Sequence, residues 1–198
     1  MSALPSRFLA PLLATLSLCA APPPQESLRD GRHDFDFLFG SWTIQNRRLA
    51  RRLHGSNEWQ VFEARQTAWP VLGGLGNMDR FLATFPDGRA IEGMSLRFYD
   101  PESRNWSIYW VDDRFCQLQP PVVGRFTGPR GEFFGNDAFE GRPIRVRFRW
   151  QVVSSSEARW EQAFSADGGA TWETNWTMQM DRVSSEVASP KEWPGKAP

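Results

Sequence analysis

The clearest pattern in the chain is an alternation of apolar and polar positions in short runs. Ile144, Val146, Phe148 and Trp150 alternate with three arginines. A period of two places the apolar side chains on one face of a strand and the arginines on the other, which faces solvent. Similar runs occur from residue 39 onward, separated by Gly, Pro, Asp and Asn. The pattern predicts a meander of antiparallel hairpins in which helix is rare.

These runs predict about ten strands. They cover residues 42–47, 59–68, 77–85, 90–99, 106–112, 122–126, 132–135, 144–150, 159–164 and 172–180. On the fourth of them, Met94, Leu96 and Phe98 share one face. Strands with one apolar face must stack as two sheets or close on themselves, and closure removes exposed edges. We therefore expect an all-β, antiparallel up-and-down β-barrel, with an open sandwich as the alternative. A barrel of this size can hold one small ligand.

The N-terminal region has the layout of a secretory signal peptide. Arg7 is its only early charge, and an apolar run at residues 8–18 precedes Cys19, two alanines and three prolines. We expect a signal peptide at residues 1–21, a linker at 22–32, one barrel domain at 33–183 and a flexible tail at 184–198. The protein would then be secreted or periplasmic. Acylation of Cys19 as a lipid anchor is the alternative, although the bulky Leu18 departs from the small residue expected there.

Composition narrows the range of partners. Lys plus Arg equals Asp plus Glu at 23 each, so nothing suggests the basic surface that nucleic acid requires. No segment approaches the roughly 20 apolar residues of a membrane span. The 10 Trp and 15 Phe against 2 Tyr favour strands around a large apolar interior. If Cys19 is removed, Cys116 has no partner for a disulfide, and we expect it to be a buried structural cysteine.

Two groups of polar residues are candidates for an acid/base pair or a metal site. Asp112 and Asp113 precede Arg114, but adjacent residues on a strand point to opposite faces, so at most one carboxylate enters a pocket. We expect these three residues to form a solvated strand end or a surface ion pair. His33 lies near Asp34 and Asp36, but one His with no second His nearby is a thin basis for a metal site. We therefore expect no metal.

A turn pattern precedes the last strand. Ser165, Asp167, Gly169 and Trp172 fit Ser-x-Asp-x-Gly-x-x-Trp, which resembles the Asp-box of sialidase blades. One copy in a small chain does not make a propeller. The Asp side chain would bond the turn backbone, the glycine would take a positive φ, and the Trp would pin the loop to the sheet. We expect a structural hairpin.

Two resemblances bear on the fold. Gly40 and Trp42 form a Gly-x-Trp at the start of the first strand, which resembles the opening motif of lipocalins. That resemblance implies that Trp42 packs at the closed end of the barrel and that Arg182 from the last strand lies across it. Residues 33–42, 93–97, 160–165 and 167–172 are similar to a bacterial lipocalin-like (calycin-type) protein family of unknown function. This resemblance implies a lipocalin-like barrel and identifies no catalytic residues in this chain.

The predicted interior supplies the candidate binding site. If Trp176 and the apolar faces point inward, strand parity places several polar side chains beside them, where each needs a partner. The candidate ligand-binding residues are Asn46, Trp110, Asp112, Trp150, Gln162, Thr174, Trp176 and Met178. The leading hypothesis is a binder of a small apolar or amphipathic molecule, such as a hydrophobic or aromatic compound.

Two alternatives fit the same sequence pattern. The first is an enzyme that uses the cavity for an isomerisation, cyclisation or hydrolysis. In such an enzyme Asp112 would act as general acid or base. Desolvation among Trp side chains would raise its pKa. The second is an envelope protein without a ligand, whose interior would be filled by side chains. The identity of a ligand or cofactor and the oligomeric state do not follow from the sequence.

Overall fold

Ten antiparallel strands close into one up-and-down barrel in the computed structural model, which describes residues 29–187. The strands are β1 (Gly40–Leu49), β2 (Trp59–Val71), β3 (Gly76–Thr84), β4 (Ala90–Asp100), β5 (Asn105–Asp112), β6 (Val122–Thr127), β7 (Arg130–Phe139), β8 (Arg142–Val152), β9 (Glu157–Ser165) and β10 (Glu173–Ser184). Short 3₁₀ turns lie at Asp36–Leu38 and Leu72–Gly74. The predicted barrel is confirmed. The predicted signal peptide, Cys19 and the chain beyond residue 187 lie outside the described residues.

Each strand is hydrogen-bonded to its sequence neighbour, and β1 pairs with both β2 and β10. This pairing closes the sheet and leaves no edge exposed. The predicted alternation on β8 is present: Ile144, Val146 and Trp150 are buried inside the barrel. Arg147 lies on the outer face, where the Trp172 ring covers it with a guanidinium-to-ring distance of 4.6 Å. It is therefore more shielded from solvent than the sequence pattern indicated.

Residues 29–39 fill one end of the barrel, which we call the closed end. Phe35 and Leu38 are fully buried. The Phe35 ring packs edge-to-face against Trp106 at 5.1 Å and Phe126 at 5.0 Å between centroids. The Trp106 indole donates to the carbonyl of Gly31 at 2.9 Å. Aromatic pairs in this geometry add to the free energy of burial, so the segment is an integral part of the core.

Trp42 and Arg182 meet at the closed end, as the lipocalin resemblance implies. They are paired across β1 and β10, and the Arg182 guanidinium lies 4.2 Å from the centre of the buried Trp42 ring. Arg182 also donates to the carbonyls of Phe37, Phe39 and Ser155. The Trp42 indole donates to the Leu38 carbonyl at 2.8 Å. The pair therefore joins the first strand, the last strand and the 29–39 segment.

Gly40 is required where the chain enters β1. Its φ is +102°, and a Cβ at this position would lie 2.2 Å from the Ser184 carbonyl oxygen. Any side chain would separate β1 from the end of β10, and the backbone conformation itself favours glycine. The close approach of the two terminal strands therefore depends on Gly40.

The opposite end of the barrel is formed by the loops at residues 50–58, 85–89, 113–121, 140–141 and 166–172. Arg48, Arg52, Arg114 and Gln119 lie here. We call this end the mouth. The candidate site lies between the mouth and the aromatic residues of the closed end.

Candidate functional site

The barrel encloses a cavity of about 120 Å³ below the mouth. This is smaller than the roughly 300–1,000 Å³ of pockets for drug-sized ligands. It is close to the roughly 150 Å³ of a protein cavity that accepts benzene. Larger hollows of about 780 and 1,080 Å³ lie among outward-facing charges such as Glu63, Arg65, Arg125 and Arg149, and these are open surface. The interior has room for one ring-sized group.

Seven aromatic side chains from five strands contribute to the cavity wall. They are Phe81, Trp110, Phe148, Trp150, Trp160, Phe164 and Trp176. The Trp160 and Trp176 rings are edge-to-face at 6.0 Å, and Phe148 packs against Trp160 at 4.9 Å. These contacts hold the wall in a fixed shape. A planar apolar group fits such a wall.

A glycine on β4 makes room for one part of this wall. Gly93 is buried, and a Cβ built on it would lie 2.2 Å from the ring of Trp110. The Trp110 ring therefore packs directly against the β4 backbone at Gly93. Its indole N–H donates to Asp112 at 3.0 Å, which fixes the orientation of the ring.

Three buried hydrogen-bond donors on cavity-lining residues have no partner among the described residues. They are Gln66 Nε2, Arg97 Nε and Trp150 Nε1, and the three residues are 5%, 2% and 6% exposed. Buried donors cost free energy unless an acceptor satisfies them. The remaining guanidinium nitrogens of Arg97 are bound by Asn77 at 3.0 Å and Asp79 at 2.5 Å. Aromatic rings make parts of the cavity wall apolar, and buried hydrogen-bond donors lie between these rings.

Five of the eight predicted ligand-binding residues line the cavity: Trp110, Trp150, Gln162, Trp176 and Met178. Gln162 donates to Asn175 at 2.9 Å. That bond keeps this predicted residue fixed against its neighbouring strand.

The other three predicted residues lie around the cavity without lining it. Asn46 is fully buried, and its carbonyl oxygen accepts from the Trp176 indole at 2.9 Å, so it positions that ring. Asp112 lies at the mouth end of β5. The prediction that Thr174 shares a face with Trp176 is wrong, because the β9–β10 register shifts between them. Asn175 takes the interior position and is fully buried.

Asp112 does not have the pKa that the enzyme hypothesis needs. Its side chain is 1% exposed, and this burial raises the pKa. Hydrogen bonds from Arg114 at 2.6 Å and Trp110 at 3.0 Å outweigh it, so the pKa is lowered overall. The expected raised pKa is therefore wrong. A carboxylate held ionised by a guanidinium is poorly suited to general acid or base work near neutral pH.

The mouth carries arginines that the sequence analysis did not single out. Arg48 stacks on Trp176 at 4.9 Å, and Arg52 stacks on Phe139 at 4.5 Å. Burial, together with repulsion from Arg52 and Arg114, lowers the pKa of Arg48. The alternation of inward and outward side chains along β1 could have identified Arg48, because Arg48 follows Ile44 and Asn46 on the inner face of that strand.

Arg97 was also missed, for a different reason. Because Met94, Leu96 and Phe98 are apolar, the sequence pattern indicated that their face of β4, opposite to that of Arg97, is the buried one. In the barrel Ile91, Gly93 and Arg97 are buried on the inside. The ion pair with Asp79 makes this possible, since a buried charge needs a partner.

The Asp-box residues form a turn that is closed by hydrogen bonds. Asp167 accepts from the backbone and hydroxyl of Thr171, at 2.9 and 2.6 Å, and from Ser165 at 2.7 Å. These bonds hold the pKa of the carboxyl well below its usual range. The Trp172 indole donates to the carbonyl of Gly169 at 3.0 Å. The Trp172 ring also packs on Phe134 at 5.9 Å between centroids, which fixes the loop to the outer face of the sheet.

The remaining candidates do not form a second site. Cys116 is exposed, not buried as expected, because the loop at residues 113–121 carries it outside the barrel. His33 is bonded to Asp36 at 2.8 Å. Within residues 29–187, no three His, Cys, Asp or Glu side chains are grouped to hold a metal ion. In the same range no helix has the length and apolar character needed to cross a membrane.

The barrel resembles solved structures, although no family model and no curated protein sequence matches the chain. The S-type phycobiliprotein lyase CPES of Guillardia theta superposes with a TM-score of 0.55 at 9% identity, over 80% of this chain and 96% of that one. A redesigned β-barrel, mFAP0, bound to DFHBI superposes with a TM-score of 0.42 at 14% identity, over 74% and 99%. The likeness to the lyase shows that the chain shares the architecture of a natural barrel protein.

Proposed function

We propose that this protein binds a small apolar or amphipathic molecule, with a ring-sized group inside the barrel. The observation that carries the proposal is the composition of the cavity wall. Rings such as Trp110 and Trp176 surround a space of about 120 Å³, and three buried donors beside it have no partner among the described residues. A filled structural core would leave no such space. The likeness in fold to a phycobiliprotein lyase agrees with a barrel that takes a small molecule.

The proposal is tested by titrating the protein with small aromatic alcohols, short fatty acids and isoprenoids while recording tryptophan emission. Four Trp rings line the cavity, so a bound ligand should change the emission. The variant Ser95→Met extends a side chain into the cavity from β4 and should abolish the response. The matched control Thr84→Met places the same group on the exposed outer face of β3 and should bind as the wild type does.

Two results would contradict the proposal. One is the absence of any emission change or thermal stabilisation across the panel, because a ligand that binds only the folded state must raise its stability. The other is a response that Ser95→Met leaves intact, since that would place binding outside the barrel.

We further propose that the protein is exported and that it belongs to the bacterial lipocalin-like family of unknown function that its sequence resembles. Residues 1–21 supply the argument for export. Mass spectrometry of the protein from the periplasm and medium would test it, because cleavage after the apolar run and acylation of Cys19 give different masses. A full-length, unprocessed chain confined to the cytoplasm would contradict export.

A further inference from the structure

At the mouth, the ionisable side chains that line the cavity are arginines: Arg48, Arg52 and Arg114. Asp112 is the carboxylate buried there, and it is already bound by Arg114 at 2.6 Å. Among the described residues, Arg48 and Arg52 have no ion pair with any carboxylate. They are held instead by the faces of aromatic rings. Two half-buried guanidiniums beside the cavity therefore lack a direct carboxylate partner among the described residues.

Arg48 occupies the position closest to the cavity rings. It follows Asn46 on the inner face of β1, and its guanidinium lies 4.9 Å from the Trp176 ring and 5.5 Å from Phe85. Ring stacking contributes less than the loss of water around a buried charge costs. Burial and the neighbouring arginines lower the pKa of Arg48 accordingly. A nearby anion would offset this cost.

Arg52 adds a second guanidinium from the loop after β1. Its pKa is lowered by burial and by Arg114, and the charges of Glu140 and Glu173 only partly offset this. Both carboxylates have other partners. Glu140 lies 2.9 Å from the His54 ring nitrogen, and Glu173 accepts from the backbone N–H of Leu53 at 2.7 Å. Arg52 is therefore available to a charged group that enters the mouth.

We propose that the ligand is a small aromatic carboxylate, whose carboxylate is bound by Arg48 and Arg52 while its ring enters the cavity between Trp110 and Trp176. This inference rests on the proposed function and specifies the chemistry of its ligand. The planar guanidinium suits a carboxylate because it can donate two parallel hydrogen bonds. The cavity volume restricts the buried part to about one ring, and the donors of Gln66 and Trp150 suit a ring with an oxygen substituent.

The test compares benzoate with benzamide, which have nearly the same shape and differ in charge. Calorimetric titration of the full chain should show benzoate binding at least about tenfold more tightly, as expected for charge-assisted hydrogen bonds. Arg48→Gln and Arg52→Gln should each weaken benzoate binding by about tenfold and change benzamide binding by less than about twofold. Arg89→Gln is the matched control at the same end, because Arg89 is exposed and already bound to Asp87 at 2.7 Å.

A second readout separates a binding role for Arg48 from a structural one. If Arg48 is retained to bind an anion, Arg48→Gln should raise the thermal midpoint of the ligand-free protein, since it removes a largely buried charge that has no ion pair. A lower midpoint with unchanged benzoate binding would overturn the proposal. Equal affinities for benzoate and benzamide in the wild type would also overturn it and would leave binding in the barrel intact. If neither compound nor any other panel member binds, the proposed function fails as well.

Discussion

Arg182 should contribute more to stability than its position near a strand end suggests, and Arg182→Lys is the change that shows it. Arg182 stacks on Trp42 and donates to three carbonyls, two of them in the 29–39 segment. Lysine keeps the charge but loses the planar contact and at least one donor. The stacking is worth about 0.5–2 kcal/mol, and each hydrogen bond from a charged group about 1.5–3 kcal/mol. We expect a loss of roughly 2–4 kcal/mol.

That loss is large against the roughly 5–15 kcal/mol that stabilises a typical domain. Urea unfolding followed by circular dichroism gives the free energy of unfolding by linear extrapolation. Arg159→Lys is the matched control, since Arg159 lies exposed on the outer face of β9 with Glu157 and Gln179 as partners. It should cost less than about 0.5 kcal/mol. Trp42→Ala should cost about 3–5 kcal/mol.

The contact between the two side chains is tested by combining Arg182→Lys with Trp42→Leu. Residues in contact are not additive, so the double variant should lose about 1 kcal/mol less than the two single variants together. If Arg182→Lys is as mild as Arg159→Lys, or if the two changes are additive, Arg182 does not hold the barrel closed and the reasoning is refuted.

Three further changes test the turn, the mouth and the cavity wall. Asp167→Asn should lower the free energy of unfolding at pH 5–8. Because the folded pKa of Asp167 is depressed, urea unfolding should show the difference shrinking as the pH falls below about 3.9. A constant difference down to pH 2 would contradict this. Asp112→Asn should lower the thermal midpoint, because it strips Arg114 of its carboxylate, whereas the exposed Asp113→Asn should not. Gly93→Ala should displace the Trp110 ring, change the near-ultraviolet circular dichroism and weaken ligand binding; an unchanged spectrum would contradict it.

The barrel could be predicted from the sequence because its signal is local. The alternation on β8 and the turn residues between runs specify strands and hairpins without knowledge of distant contacts. The pairing of Trp42 with Arg182 came from the lipocalin resemblance, and β1–β10 pairing confirms it.

The details of the interior depend on long-range contacts that alternation does not reveal. The bulge between Thr174 and Trp176 shifts the register and exchanges Thr174 for Asn175. Arg97 is accommodated inside only because Asp79 from β3 lies beside it. The lowered pKa of Asp112 depends on where the side chain of Arg114 folds back. Such pairings become visible only once the strands are in register.

A crystal structure of the protein soaked with 4-bromobenzoate would show most directly whether a small molecule enters the barrel. Bromine scatters anomalously, so its position does not depend on interpreting weak density for the ring. We predict an anomalous peak inside the barrel among Trp110, Trp150 and Trp176, with the carboxylate toward Arg48. A peak confined to the outer face, or no peak in a crystal that leaves the mouth of the barrel open to solvent, would contradict binding inside the barrel.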